Sequence, residues 1–257
     1  NLEISCLAAY QPLIKYNWSN KITNLDSISE LVEQQIKEPN IELLLRNNFS
    51  SNEIKNAVSL KVKDQYETSP YPRWTKIALN YKAKTVINFF NDLNLNIDED
   101  KIKNWNNINV LVAGCGTGQH AIATATKFKN SLVTAIDLSK TSLSYAKRKA
   151  DELNIKNIDF IQMDILDIKN LEKKFEIVES VGVIHHMKDP YEGWGILYDV
   201  LNPNGLMMIG IYSKIARRHI KKIRDDIKNL DLKLNLETIK SYREKIILSE
   251  DEKYRLI

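Results

Sequence analysis

Three glycines at every second position, Gly114, Gly116 and Gly118, end an apolar run from Val110 to Ala113, and Asp137 follows Gly118 by 19 residues. Glycine lets the backbone approach a ligand closely, and a helix starting behind such a turn offers free N–H groups and a positive dipole end. An acid at this distance suits the hydroxyls of a ribose. The expected chemistry is capture of a nucleotide-like ligand with a polar or negative end. Dinucleotide sites usually read G-x-G-x-x-G, but here the third glycine comes one residue early and Gln119 fills the later place. That spacing disfavours a nicotinamide-dependent oxidoreductase without removing it.

Further candidates lie downstream. Gln162-Met163-Asp164-Ile165 sets a second acid beside an apolar residue, a pair that can accept from an adenine amino group and cover its ring. Val181-Gly182-Val183-Ile184-His185-His186 sets small residues and then two histidines at what reads as a strand end, where ligands of such sheets bind. A histidine there could take a proton or hydrogen-bond an acceptor, or could be a satisfied structural group. Upstream, Tyr66-Glu67-Thr68-Ser69-Pro70-Tyr71-Pro72-Arg73-Trp74 carries two prolines that forbid a helix and stiffen the chain. Its aromatics could wall a site or pack onto a neighbouring element. Four histidines and two cysteines at scattered positions give no metal-ligand spacing, so no metal is expected. No nucleophile elbow or phosphate-binding Lys-Ser/Thr follows the glycines, which argues against a hydrolase or kinase.

The elements that must position these residues show in the hydrophobic pattern. From about residue 107 strands alternate with helices: strands near 108–113, 132–136, 158–163, 175–181 and 206–212, with helices to about 128, from Ser139 to about Leu153, and from Pro190 to Leu201. This alternation implies a parallel sheet covered on both faces. Residues 1 to about 64 read as helices, with Ser27/Glu30 and Ser50/Glu53 as reciprocal capping pairs. A helix is predicted over 75–95, with Ile77, Tyr81, Val86, Phe89, Phe90 and Leu93 on its apolar face. Beyond residue 214, Ile215, Ile220, Ile223, Ile227 and Leu230 form a stripe among Lys214, Arg217, Arg218, Lys221, Lys222 and Arg224. Such a basic face is a solvated surface or an RNA contact.

A chain of 257 residues with 43% hydrophobic and 27% charged residues is globular in composition, and a net charge of +4 permits an acidic partner without demanding one. Cys6 and Cys115 make no disulfide framework, so a reducing, cytoplasmic setting is expected. No apolar run approaches the roughly 18 residues of a membrane span, so no membrane insertion is expected. The chain opens inside what reads as a helix, as a piece of a longer polypeptide would.

Together, the glycine turn, Asp137, Asp164 and Val-Gly-Val-Ile-His-His resemble the class I S-adenosylmethionine-dependent methyltransferases over about 107–213. The Tyr66–Trp74 segment, Gly193-Trp194 and Gly210-Ile211-Tyr212-Ser213 are similar to a subgroup that includes bacterial, rickettsial-type outer-membrane-protein lysine methyltransferases. The resemblance implies an α/β, Rossmann-like parallel sheet with helical N- and C-terminal additions. It divides the chain into a helical part at 1–64, a covering loop and helix at 65–106, a donor-binding core at 107–213 and a helical extension at 214–257. The last two of that family's seven strands are not evident. Gly114, Cys115, Gly116 and Gly118 would meet the methionine part, with Tyr66 and Val181 nearby and Arg73 on its carboxylate. Asp137 would hold the ribose, Leu138 and Ile165 would sandwich the adenine, and Asp164 would bind its amino group. Tyr71, Trp74 and His185 would serve the transfer itself. The implied donor is S-adenosyl-L-methionine, with S-adenosyl-L-homocysteine as product. The implied acceptor is a protein, with nucleic acid or a small molecule as alternatives, a homodimer allowed for, and a non-catalytic binding fragment as the reading of another class.

Overall fold

The computed structural model describes residues 1–22, 26–50, 53–79, 82–229 and 235–249. Its centre is a parallel sheet of β1 (Ile108–Ala113), β2 (Ser131–Asp137), β3 (Ile158–Gln162), β4 (Phe175–Val181) and β5 (Leu201–Gly210), in the order β3-β2-β1-β4-β5. Val110 and Val112 fill a core on one face of β1, while Leu111 and Ala113 fill a second core on the other. Successive side chains of a strand point to opposite faces, so a strand buried on both sides must be apolar throughout. The strand order reverses between β1 and β4, and the crevice outside their carboxyl ends is where such sheets bind ligands.

Before the sheet run the helices α1 (Leu2–Tyr10), α2 (Ser29–Val32), α3 (Glu38–Asn48), α4 (Ala57–Thr68), α5 (Val86–Asp92) and α6 (Glu99–Ile102). Between and after the strands come α7 (Gln119–Ala125), α8 (Lys140–Glu152) and α9 (Pro190–Asp199). Ser139 caps α8 through Ser142 N–H, as expected, and Asp189 caps α9. The Ser27/Glu30 pair does not cap α2, and the residues between Ser50 and Glu53 lie outside the described ones. Asn56 caps α4, accepting from Val58 and Ser59 N–H, and α2 follows Ile28, whose side chain caps nothing.

The helix predicted over 75–95 is shorter than expected, because Lys84 takes an extended pairing with Phe128. Lys84 N–H donates to the Lys127 carbonyl at 3.0 Å, and Lys129 N–H donates to the Lys84 carbonyl at 2.9 Å. Thr85 then caps α5, and Phe89 and Phe90 pack on the core while Leu93 stays exposed. Strand β5 begins five residues before the predicted Leu206, and its register against β4 is broken between Phe175 and Ile177, opposite the Asn202–Gly205 stretch. The expected places of Tyr81 and Leu230 lie outside the described residues.

Residues Asn1–Gly210 form one compact unit and Ile211–Ile257 a second. In the second, α10 (Arg218–Asn229) carries the half-buried Ile220, Ile223 and Ile227, and α11 (Leu236–Ile247) starts with a capping box between Asn235 and Thr238. Arg217 lies over the Tyr212 ring, 3.2 Å from its centroid.

Candidate active site

The glycine turn is pinned to β2 and folded on itself. Gly114 and Cys115 N–H donate to the Ile136 carbonyl at 2.8 and 2.9 Å, and Gly118 N–H donates to Cys115 O at 2.9 Å. All three glycines have positive φ. At two of them a side chain has no room: a Cβ on Gly114 would lie 2.4 Å from Val183, and one on Gly118 would lie 2.5 Å from Ala146. At Gly116 the space is open, and the first atom a Cβ would meet is the Tyr71 carbonyl oxygen at 3.5 Å. Gly116 is therefore the position where a ligand can come against bare backbone.

Asp137 closes the other side of this turn. Its Oδ2 accepts from Gly116 N–H and its Oδ1 from Ser139 N–H, both at 2.9 Å. A carboxylate has about four acceptor positions, so capacity for two hydroxyls remains. Burial pushes the Asp137 carboxyl above its ordinary value; the nearby Glu67 charge adds to this, and the backbone N–H groups of Ser139, Gly116 and Leu138 oppose it. Burial, with the Asp137 charge, also raises the Cys115 thiol well above the usual thiol range, so Cys115 is an apolar wall of the turn.

Asp164, 4% exposed, accepts from Leu166 N–H at 3.1 Å and so opens the short helical stretch Ile165–Leu171. Gln162 donates to the Leu138 carbonyl at 2.9 Å and ties the ends of β3 and β2 together. Leu138, Asp164 and Ile165 thus border one rim, beside Asp137.

The loop after α4 is seated on the glycine turn. Trp74 is 7% exposed and donates its indole N–H to the Thr117 carbonyl at 3.0 Å, while Thr117 returns its hydroxyl to the Pro72 carbonyl. Trp74 also meets Tyr145 edge-on, at 6.1 Å between ring centroids. The ring packs among the core residues, with its N–H paired to the glycine turn. The Arg73 guanidinium contacts both Glu42 oxygens at 3.2 Å and lies over the Tyr145 ring at 4.7 Å. Tyr71 keeps an exposed ring, 74% accessible, and Tyr66 is half-buried on α4.

At the end of β4, Val181 packs where a Cβ on Gly210 would stand, 2.7 Å from its Cγ1, so it belongs to the β4–β5 edge. Val183, two residues on, is the valine that touches the glycine turn. His185 is half-buried on the turn Ile184–His186, its ring 4.2 Å from that of His186.

Sequence reasoning passed over two carboxylates. Glu179 sits inside the buried β4, accepting from His120 Nε2 at 2.8 Å, Thr124 Oγ1 at 2.6 Å and Lys127 Nζ at 3.0 Å. Burial would raise its carboxyl, but the His120 hydrogen bond, the Lys127 and His120 charges and the Thr124 hydroxyl outweigh it and hold the pKa at about 2. An acid deep in the run Phe175–Val181, past the Glu176 near its start, was the available signal. Glu67 accepts from Lys140 N–H at 2.8 Å, from Thr141 N–H at 3.3 Å and from the Thr141 hydroxyl, and pairs with Arg46 at 3.0 Å.

The profile of a methyltransferase-domain family matches residues 104–255. The chain belongs to this methyltransferase family. An uncharacterized protein of Synechococcus is 33% identical over 119 residues, which is 46% of this chain and 28% of that protein. A probable (S)-tetrahydroprotoberberine N-methyltransferase of Papaver bracteatum is 34% identical over 80 residues, 31% of this chain and 22% of that enzyme. The chain thus spans less than a third of the length of these two curated relatives. Among solved structures, PKMT2 from Rickettsia typhi shares 22% identity, with 59% of this chain and 34% of that chain covered and a TM-score of 0.42.

The residues present fit the donor that the resemblance implies, S-adenosylmethionine. Gly116 leaves open backbone for the amino-acid end, Asp137 keeps acceptor capacity for the ribose, and Asp164 with Leu138 and Ile165 offers an acceptor and apolar cover for the adenine. Among the described residues no group of three His, Cys, Asp or Glu could hold a metal, and no helix is long and apolar enough to cross a membrane.

Proposed function

We propose that the chain transfers the methyl group of S-adenosylmethionine to lysine side chains of a protein, of outer-membrane-protein type, in the cytoplasm. The observation that carries this reading is the seating of the Tyr71–Trp74 loop on the glycine turn, with the Tyr71 carbonyl over Gly116 and the Tyr71 ring exposed. An acceptor chain reaching the methionine end of the donor would pass that ring. The resemblance of Tyr66–Trp74 to the lysine methyltransferase subgroup supports the same acceptor.

When bound, the donor supplies an electrophilic methyl group on a positively charged sulfur. The protein's task is to position a neutral amine in line with it. Lysine has a pKa of about 10.4, so neutrality near pH 7 costs roughly 4–5 kcal/mol, and an aromatic, partly dry approach lowers that cost. Tyr71 would supply the aromatic surface, and His185, beyond the β4 end, would accept the departing proton. Glu179 is too strongly held in its carboxylate form by His120, Lys127 and Thr124 to exchange protons near neutrality.

A small-molecule amine is the second reading, favoured by the 34% identity to the Papaver bracteatum N-methyltransferase over 80 residues. A labelled-methyl assay offering outer-membrane protein, RNA and small amines separates these. Label in lysine residues is the expected result, abolished by Asp137→Ala. Label confined to RNA or to the small amine would overturn the acceptor assignment, and no label with any acceptor would leave the chain a binding piece of a larger enzyme.

A further inference from the structure

Two carboxylates from distant parts of the chain converge on the first turn of α8. Asp137, at the end of β2, takes the N–H of Ser139; Glu67, near the end of α4, takes those of Lys140 and Thr141. Ser139 Oγ takes the next, from Ser142 at 3.0 Å. The exposed N–H groups of a helix start are satisfied here by one acid that belongs to the donor site and one that does not.

Glu67 stands three residues before Pro70, so the anchor it makes on α8 is also where the Pro70–Trp74 loop departs. The far end of that loop is fixed independently, by Trp74 and Pro72 on Thr117. One carboxylate therefore sets the height of the loop over Gly116 and holds the turn that carries Asp137. Arg46 of α3 is its counter-ion, at 3.0 Å, so the helical layer before the sheet takes part in the same arrangement.

We propose that Glu67 is a positioning residue of the donor site. It locks the Pro70–Trp74 loop to the first turn of α8, beside the turn that Asp137 holds, and so fixes how Asp137 meets the donor. This rests on the donor-site reading above. The groups that bear on Asp137 are Glu67 from α4 and the N–H donors of Ser139, Gly116 and Leu138, with the Cys115 thiol beside it and with Arg46 from α3 and Lys140 from α8 acting on Glu67. Burial and the Glu67 charge both raise the Asp137 carboxyl, which agrees with the geometry. Asp137 must be ionised to accept two hydroxyls, so donor binding weakens as pH falls through its folded-state value.

The test is calorimetric titration with S-adenosylhomocysteine from acid to neutral pH. Glu67→Gln keeps size and one acceptor but removes the charge. It should weaken binding roughly tenfold at neutral pH, the equivalent of one charged hydrogen bond, and move the acid limit of binding to lower pH. Arg46→Met leaves Glu67 unneutralised and should move that limit to higher pH. A merely structural Glu67 would weaken binding by the same factor at every pH. Unshifted acid limits in both folded variants, with wild-type binding intact, would overturn this proposal alone. Absence of binding to the wild-type chain would overturn the donor-site reading and this proposal with it.

Discussion

Trp74 and Thr117 hold one another: the indole N–H donates to the Thr117 carbonyl at 3.0 Å, and the Thr117 hydroxyl donates back to the carbonyl of Pro72, two residues before Trp74. The loop and the glycine turn consequently move as one piece. Trp74→Phe keeps most of the ring's packing against Tyr145 and removes only the donor, leaving a buried carbonyl unmatched. We expect a loss of about 1–3 kcal/mol in stability and weaker S-adenosylhomocysteine binding, read by denaturant unfolding and calorimetry. Unchanged binding in this variant would mean that the loop does not cover the donor.

The glycines of the turn should not respond alike. Alanine at Gly114 faces both a positive φ and the Val183 methyls at 2.4 Å, whereas alanine at Gly116 faces the positive φ alone, its first neighbour standing at 3.5 Å. Left-handed backbone costs a non-glycine residue roughly 1–2 kcal/mol, and forced overpacking adds about 1–3 kcal/mol. Gly114→Ala should therefore lower the melting temperature distinctly more than Gly116→Ala, while Gly116→Ala should hurt donor binding out of proportion to its effect on stability. Equal losses from the two would show that the turn relaxes more than this geometry permits.

What could be read in advance was local. The buried strands announce themselves as apolar runs, and the glycine turn, Asp137 and Asp164 lie within a few residues of the strand ends that position them. Partnerships across long sequence gaps carry no such signal. Nothing in the sequence around Arg73 announces Glu42, 31 residues away, which the docking of α3 on α8 brings to it. Trp74 likewise turns inward because Thr117 waits 43 residues downstream. The helix predicted over 75–95 was shortened by Lys84 pairing with Phe128, a strand-like contact that no helical periodicity within the segment can reveal.

Glu179 gives a stability prediction with a definite sign. Its folded-state pKa is about 2, below the ordinary 4.5, so its contribution is complete above the ordinary value and is lost as pH falls from there toward 2. The difference corresponds to about 3 kcal/mol at neutral pH. Glu179→Gln should be less stable than the wild type near neutrality, and the gap should close on acidification through that window. A gap independent of pH would show that packing, and not charge, is what Glu179 contributes to α7.

Arg148 offers the sharpest test of how the helical layer is fastened to the sheet. It is buried, with Glu38 and Glu42 each at 2.9 Å, and it lies over one side of the Tyr145 system that Arg73 also contacts. Removing one partner of a buried pair strands the other, at a cost of about 3–5 kcal/mol, whereas replacing both with apolar groups is often close to neutral. Arg148→Met alone should be strongly destabilising, because among the described residues Glu42 then keeps Arg73 alone, whose side chain is 43% exposed. Arg148→Met combined with Glu42→Leu should recover much of that loss, giving a large coupling in a double-mutant cycle measured by denaturant unfolding. Additive losses would mean that each group is held by packing alone, and that the α3–α8 contact is not an electrostatic fastening.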